Sequence, residues 1–207
     1  MVPQGTRSLQ RVRVDFEPVT ATPPILAGSL RRALGANSEA VVDGVREITA
    51  SELPVAGYSL RVDFIPPGLY LADIRLGLRS IYDNPTVHVT AGMTEPIDVV
   101  FASDGGSVTG TAGTSDSPAR WVTLVPANHR RGNLALYKST AVAGGRFRIA
   151  NIAPGEYKLF AWTKLLFGRE DQDADFIAAF EQFGQPVLVT AGQMTRAQVE
   201  TVSDPDE

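Results

Sequence analysis

The chain has 207 residues, no cysteine, and a net charge of −4 from 19 basic and 23 acidic side chains. The absence of cysteine excludes disulfide bridges and thiolate metal sites, and the mild acidity without a basic stripe argues against a nucleic-acid partner. No apolar run reaches the roughly 18 residues of a membrane-spanning helix, so membrane insertion is not expected.

The first predicted strand covers residues 11–16, where polar and apolar side chains alternate. Arg11 would begin this strand, and Val12, Val14 and Phe16 would share one of its faces. A strand with one apolar face is expected to cover a hydrophobic core with that face.

Further short strands are predicted in the first half of the chain, each bounded by turn-forming residues. They cover residues 39–42, the region of Ile48, and residues 59–65, 69–76, 86–89 and 97–101. Residues 20–38 contain several Pro and Gly and are predicted to be an irregular connection. Short strands separated by Gly and Pro turns are typical of an antiparallel β-sandwich.

Part of the sequence occurs twice. DFIPPGLYLADI at residues 63–74 returns in altered form as ANIAPGEYKLFA at residues 150–161, and Thr-Ala-Gly at residues 90–92 returns at residues 190–192. Repeats this far apart exceed the roughly 20–50 residues of a solenoid unit, so each copy is predicted to be a domain. The predicted organisation is an N-terminal arm at 1–10, a first β-sandwich at 11–102, a second β-sandwich at 103–203 and an acidic tail at 204–207.

The second copy is also predicted to be mainly β. Its predicted strands cover residues 107–111, 121–125, 145–149, 156–162, 186–190 and 197–202. The exception is a helix near residues 173–183, which Asp173 can cap and whose Phe176, Phe180 and Phe183 form an apolar stripe. The Thr-Ala-Gly echo is offset by about 13 residues more than the Pro-Gly-x-Tyr echo, so this helix is predicted to be an insertion.

GRFRIANIAPGEYKLFAW at residues 145–162 resembles the carboxypeptidase regulatory-like domain family, whose members are transthyretin-like sandwiches related to the collagen-adhesin B-type repeats. The insert near residues 173–184 and the segments at residues 73–84 and 103–110 are similar to a tandem form in exported acidobacterial proteins. With the strand pattern, the resemblance implies an all-β fold class: two tandem transthyretin-like (Ig-like) antiparallel β-sandwiches, the second with a short inserted α-helix.

The resemblance also implies a non-catalytic protein that is exported and lies outside the cell or on its surface. Residues 1–10 have no hydrophobic signal-peptide core, so a signal would have been removed or would lie outside this chain. Collagen-adhesin repeats often carry a Lys–Asn isopeptide bond, but none is expected here. The first copy has no Lys, and Lys138, Lys158 and Lys164 lie outside the opening strands of the second copy.

No residue pattern nominates a catalytic, cofactor or metal site. His88 and His129 are isolated, and residues 171–175 imitate a calcium loop in which Phe176 stands where Gly is required. The sequence also lacks the Gly-x-Ser-x-Gly motif of a nucleophile elbow. The chain is therefore predicted not to be an enzyme and to hold no cofactor.

Aromatic and apolar residues near the insert are candidates for binding. Trp162 could stack on a sugar ring, and the alternative is that Phe160 and Trp162 pack beneath the inserted helix. Leu165, Leu166 and Phe167 follow in a predicted loop and are a candidate exposed contact surface.

The start of the chain suggests a second contact surface. Residues 1–10 do not alternate, and Pro3 and Gly5 weaken any strand there, so the first sandwich is predicted to lack the opening strand that residues 107–111 supply to the second. The strand at residues 11–16 would then expose a sheet edge that another chain could join by strand addition. Two alternatives remain open: a weak strand forms at the start, or the chain is part of a longer protein.

These patterns predict a non-catalytic extracellular structural or adhesive protein that self-associates through sheet edges or joins another surface protein. The alternative is a carbohydrate-binding accessory module of a larger secreted or surface protein. Both predictions place the function in surfaces and not in reactive side chains.

Overall fold

The computed structural model describes residues 12–19, 45–48, 53–164 and 172–202. Strands make up most of this structure, which confirms the predicted all-β fold class with a short helix. The chain divides into two compact units, Met1–Ser103 and Asp104–Glu207, which are called unit 1 and unit 2 below.

The described strands of unit 1 form two sheets. Its described strands are β1 (Arg13–Pro18), β2 (Val45–Ile48), β3 (Ala56–Asp63), β4 (Tyr70–Leu76), β5 (Arg79–Ser80), β6 (Thr86–Val89) and β7 (Ile97–Ala102). One sheet has the strand order β1-β3-β6 and the other β2-β7-β4-β5. All pairings between these strands are antiparallel, as the sequence predicts.

Alternation along the strands builds the core of unit 1. In β3, Tyr58, Leu60 and Val62 are buried, while the residues between them are partly exposed. Phe16 of β1 meets Tyr58 edge to face with ring centroids 6.2 Å apart, and the Tyr58 hydroxyl donates to the Pro54 carbonyl at 3.0 Å. Each buried large apolar side chain contributes roughly 1.5–3 kcal/mol, and a one-residue slip of the strand would expose them all.

Unit 2 is a second pair of sheets. Its strands are β8 (Gly106–Ala112), β9 (Trp121–Pro126), β10 (Lys138–Ala141), β11 (Arg146–Ile152), β12 (Gly155–Trp162), β13 (Gln185–Val189), β14 (Met194–Val199) and β15 (Thr201–Val202). The larger sheet has the order β10-β9-β12-β13, with β15 also beside β12, and the smaller has the order β11-β8-β14. Helix α1 (Ala174–Ala179) lies between β12 and β13 in the chain, where the sequence predicts an insertion.

Two pairings in unit 2 are parallel, so the prediction of purely antiparallel sheets is wrong for this unit. The last long strand, β14, runs parallel to the opening strand β8, and the short β15 runs parallel to β12. Gly110 of β8 permits the first of these pairings, because a β-carbon there would collide with the backbone carbonyl of Ala197. Strand alternation carries no information on direction, which is why the sequence could not reveal this arrangement.

The sequence echo corresponds to the β3–β4 and β11–β12 connections. Phe64 and Asn151 occupy equivalent echo positions after Asp63 and Ala150, and both have left-handed backbones with φ of 59° and 54°. The later strands differ, because β7 pairs with β4 in unit 1 whereas β14 pairs with β8 in unit 2. The two copies therefore share a local turn but not a complete topology.

Candidate functional site

Strand β1 contains Val14 and Phe16, two of the four predicted contact residues of unit 1, and Val12 lies directly before it. Val12, Val14 and Phe16 are buried, so their side chains belong to the core. Arg11 lies outside the described residues. What this strand offers to a partner is consequently its backbone edge and its outer face, and not its apolar side chains.

The backbone edge of β1 is open within the described part of the chain. β1 pairs with β3 on one side, and no described strand lies on its other side. The outer face carries charge: Arg61 of β3 lies 3.6 Å from the Glu17 carboxylate and 2.9 Å from that of Asp63. An outer strand of a sheet is a place where another strand can be added.

Trp162 is enclosed by other aromatic rings in unit 2. It stacks on Phe160 at 5.8 Å, meets Phe180 edge-on at 5.4 Å and lies 5.7 Å from Phe176. The indole N–H donates to Thr123 Oγ1 at 3.3 Å, and only 4% of the residue is exposed. Burial therefore argues against Trp162 as a sugar-stacking platform and supports the alternative of packing beneath the helix.

Helix α1 covers this aromatic cluster as a capped insertion. The Asp173 carboxylate accepts hydrogen bonds from the backbone N–H groups of Asp175 and Phe176 at 2.9 and 3.0 Å. Phe176 and Phe180 then face the sheet one turn apart, whereas Phe183, the third residue of the predicted stripe, is 55% exposed. The predicted loop residues Leu165, Leu166 and Phe167 lie outside the described residues.

A groove of about 590 Å³ lies beside the insert in unit 2. Its lining residues are Ala127, Asn128, Arg131, Glu156, Tyr157, Lys158, Glu181, Pro186, Val187 and Leu188. Glu156 and Lys158 alternate with buried Tyr157 and Leu159, so they lie on the face of β12 that points away from the core. The volume falls in the range of small-ligand sites, roughly 300–1,000 Å³.

An ion network joins the insert to the rim of this groove. The Glu181 carboxylate lies 2.7 Å from Arg131 Nη2 and 2.7 Å from Lys158 Nζ, and Lys158 also donates to the Glu181 carbonyl at 3.0 Å. Burial alone would raise the pKa of Glu181, but the hydrogen bonds and charges of Lys158 and Arg131 outweigh it and hold that pKa below its usual value. Glu181 is therefore an anion that fastens the insert to the sheet.

The buried side chain of Arg130 supports the turn between β11 and β12. Its Nη1 donates to the Pro154 carbonyl at 3.2 Å, and its guanidinium carbon lies 5.8 Å from the centre of the Tyr157 ring. Gly155 has a φ of 144° and leaves the space that Arg130 fills, because a β-carbon there would collide with Nη1. Of the Pro-Gly-x-Tyr motif, Glu156 and Tyr157 line the groove.

The groove is lined by charged and apolar side chains. Its lining has no Ser, Thr, His or Cys, and one of its two carboxylates is neutralised by two cations. Among the residues that the structure describes, no group of three or more His, Asp or Glu could hold a metal ion. No helix in the described ranges is long and apolar enough to cross a membrane.

Sequence reasoning did not single out this groove. Arg131, Lys158 and Glu181 stand in three separate elements, and no periodic pattern relates their positions. The predicted insertion was the one signal in the sequence for this groove. A helix added to the face of a sheet must be held there by contacts between residues of the insertion and residues of the sheet.

A protein-family model described as polysaccharide lyase family 4, domain II, with an fn3-type fold, matches residues 104–197. The matched segment lies in unit 2 and contains the groove. It supports a β-sandwich family for this unit, but not the carboxypeptidase regulatory-like family specifically. A comparison with curated proteins gives no match.

Several solved structures show distant likeness. The minor pilin GBS52 of Streptococcus agalactiae is 15% identical, with 99% of this chain and 89% of that chain covered and a TM-score of 0.35. The major pilin BcpA of Bacillus cereus is 11% identical, with 76% and 69% covered and a TM-score of 0.29. The TIE protein of Bacillus anthracis is 9% identical, with 87% and 45% covered and a TM-score of 0.28. These scores do not define a function for this chain.

Proposed function

We propose that this chain is a non-catalytic structural or adhesive β-sandwich protein of the cell exterior that self-associates by strand addition at a sheet edge. The observation that carries the proposal is β1, which is paired on one side only among the described strands. Its core-facing side chains are already buried, so it can present a preformed backbone edge without unfolding.

Adjacent proline substitutions test this proposal. Backbone N–H groups of successive strand residues point to opposite edges of the strand. Of the variants Val14→Pro and Asp15→Pro, one therefore removes a hydrogen-bond donor from the outer edge of β1, and the other removes a donor from the hydrogen bonds between β1 and β3. We expect the variant that changes the outer edge to keep its fold, as measured by circular dichroism, and to lose association, as measured by sedimentation velocity. Val14→Ala is the matched control, because it trims the same side chain yet keeps the N–H.

The proposal fails if the unmodified chain remains a monomer across the accessible concentration range. It also fails if both proline variants stay folded and associate as the unmodified chain does. If association is lost only in a variant that also loses its fold, the result contradicts the outer edge of β1 as the contact.

A second candidate function is a carbohydrate-binding accessory module of a larger secreted or surface protein. The groove in unit 2 favours it, together with the match of that unit to a domain of a polysaccharide lyase family. Leu188, which is 63% exposed in the groove, offers an apolar surface to the ring of a sugar. Leu188→Asp should abolish retention on a polysaccharide that binds the unmodified chain, whereas Leu78→Asp, at an exposed leucine of unit 1, should not.

A further inference from the structure

We propose that the outer face of the smaller sheet of unit 2 binds a linear acidic polysaccharide through Arg146, Arg148 and Arg196. This face is formed by β11, β8 and β14, with β8 in the middle, and is called the arginine face below. The inference goes beyond strand addition, because it assigns a ligand to a surface that includes neither β1 nor the residues lining the groove.

Strand alternation and register bring the three arginines together. In β11 the exposed Arg146 and Arg148 alternate with buried core residues, and in β14 the exposed Arg196 alternates with partly buried ones. Thr109 of β8 stands opposite Arg148 on one side and opposite Arg196 on the other. Arg148 and Arg196 therefore flank Thr109 in one row across the sheet, and Arg146 begins the next row.

The arginine face is positive although the whole chain has a net charge of −4. Its strands, RFRIANI, GSVTGTA and MTRAQV, contain no acidic residue, and no ion pair between described residues includes any of the three arginines. Outward residues are about 7 Å apart along a strand and about 10 Å apart across two strand spacings. These separations are close to the Debye length of about 8 Å at physiological ionic strength, so the three charges act on one ligand together.

The chemistry of arginine indicates what kind of anion this face takes. A guanidinium group stays charged at every physiological pH and can hold a carboxylate or phosphate through two parallel hydrogen bonds. Three such groups spread over two rows of a sheet can each hold an anionic group only if the ligand repeats those groups along its length. The arrangement therefore favours a polymer with regularly spaced anions over a small single anion.

The polar groups between the arginines favour a sugar polymer. Thr109 Oγ1 donates to the Phe147 carbonyl at 3.1 Å, so towards solvent this hydroxyl can only accept a hydrogen bond. In the next row Arg146, Thr111 and Gln198 stand side by side. A sugar hydroxyl can donate to Thr109, whereas the carboxylate of an acidic side chain and the phosphate of a lipid cannot. An acidic polysaccharide supplies both the anions and the hydroxyl groups.

The apolar content of the arginine face argues against a membrane surface as its partner. Met194 is the one large apolar side chain among the outward residues of its three described strands. A protein surface that inserts into a bilayer presents several large apolar side chains beside its cations. The face therefore fits a hydrated polymer better than a lipid surface.

Charge reversal tests the arginine face. Arg148→Glu and Arg196→Glu, made singly, should each weaken binding to immobilised alginate, a linear polymer of uronic acids, at least about tenfold in biolayer interferometry. Arg79→Glu on the exposed β5 of unit 1 is the matched charge control and should bind as the unmodified chain does. If a glutamate variant fails to fold by circular dichroism, Arg148→Gln and Arg196→Gln test the same loss of charge without adding an acid.

Thr109→Val tests whether the ligand is a sugar. The change keeps a β-branched side chain of similar shape and removes the hydroxyl that accepts from the ligand. It should weaken alginate binding roughly fivefold and leave any binding of poly-glutamate unchanged. Equal effects on both polymers, or no effect on either, would show that the face responds to charge alone and would overturn the sugar as its ligand.

The remaining outcomes are equally decisive. The inference is overturned if the unmodified chain does not bind alginate, or if it binds neutral dextran as well as alginate. Tighter arginine-dependent binding to phosphatidylglycerol vesicles than to alginate would assign the face to a membrane instead. Loss of alginate binding in Leu188→Asp, with none in the arginine variants, would place the polysaccharide in the groove. None of these variants changes β1, so self-association in sedimentation velocity should stay as in the unmodified chain, and failure of either proposal is seen separately.

Discussion

Two residues at equivalent positions of the echo share a backbone conformation that suits only one of them. Asn151 and Phe64 both have positive φ angles, near 54° and 59°. Asparagine enters this left-handed region readily, whereas a bulky aromatic does so at a cost. Phe64 is also 68% exposed, so little burial compensates for the strain.

Phe64→Asn should therefore stabilise unit 1 by about 0.5–1 kcal/mol, because it removes strain and little packing. Denaturant unfolding followed by circular dichroism would measure the gain. The reverse change in unit 2, Asn151→Phe, is the matched experiment and should destabilise that unit by a similar amount. A loss of stability in Phe64→Asn would show that the phenyl ring makes a contact worth more than the strain.

The burial of Trp162 has a consequence for any binding experiment on this chain. Trp162→Ala should destabilise unit 2 by roughly 3–5 kcal/mol, since it opens a cavity among Phe160, Phe176 and Phe180. Leu188→Ala, on the exposed rim of the groove, should cost under about 0.5 kcal/mol. Thermal unfolding distinguishes the two, and equal effects would contradict the enclosed aromatic cluster.

At the scale of elements, helix α1 and the turn after it depend on Glu181. Its pKa is lowered in the folded protein, so its ion pairs add stability above the usual glutamate pKa. That contribution is lost as the pH falls through the lowered pKa. Glu181→Gln should cost about 1 kcal/mol at neutral pH and should flatten the acid limb of the stability curve.

Hydrogen exchange gives a local measurement of the same effect. Amides of helix α1 should exchange faster in Glu181→Gln, because the Arg131 and Lys158 contacts to the insert are weakened. Glu156→Gln is the control, since it makes the same charge change in the same groove on the exposed face of β12. Equal acceleration in both variants would contradict a specific role for Glu181.

The sequence predicted most strands because their buried faces follow a two-residue period. β6 was predicted at its exact bounds, and the cap and apolar stripe located helix α1. Strand β10 was missed because Lys-Ser-Thr-Ala has no apolar alternation and forms through its pairing with β9. Parallel pairing and the groove depend on contacts distant in sequence, which local pattern does not encode.

At the scale of the whole molecule, the two compact units lead to a prediction of separate folding. Both tryptophans, Trp121 and Trp162, belong to unit 2, so tryptophan fluorescence reports on that unit alone. A fragment of residues 104–207 should fold and unfold cooperatively, with a fluorescence transition that coincides with that of the full chain. A large downward shift in the fragment would show that unit 2 needs the rest of the chain.

The side-by-side parallel arrangement of β8 and β14 determines how unit 2 would resist a mechanical load. These strands lie near the two ends of the unit and run in the same direction, so tension on the ends pulls them past each other along their length. Their hydrogen bonds are then loaded in shear and must break together, whereas a hairpin pulled at its open end unzips one bond at a time. A surface protein under flow or traction would gain tensile strength from this geometry.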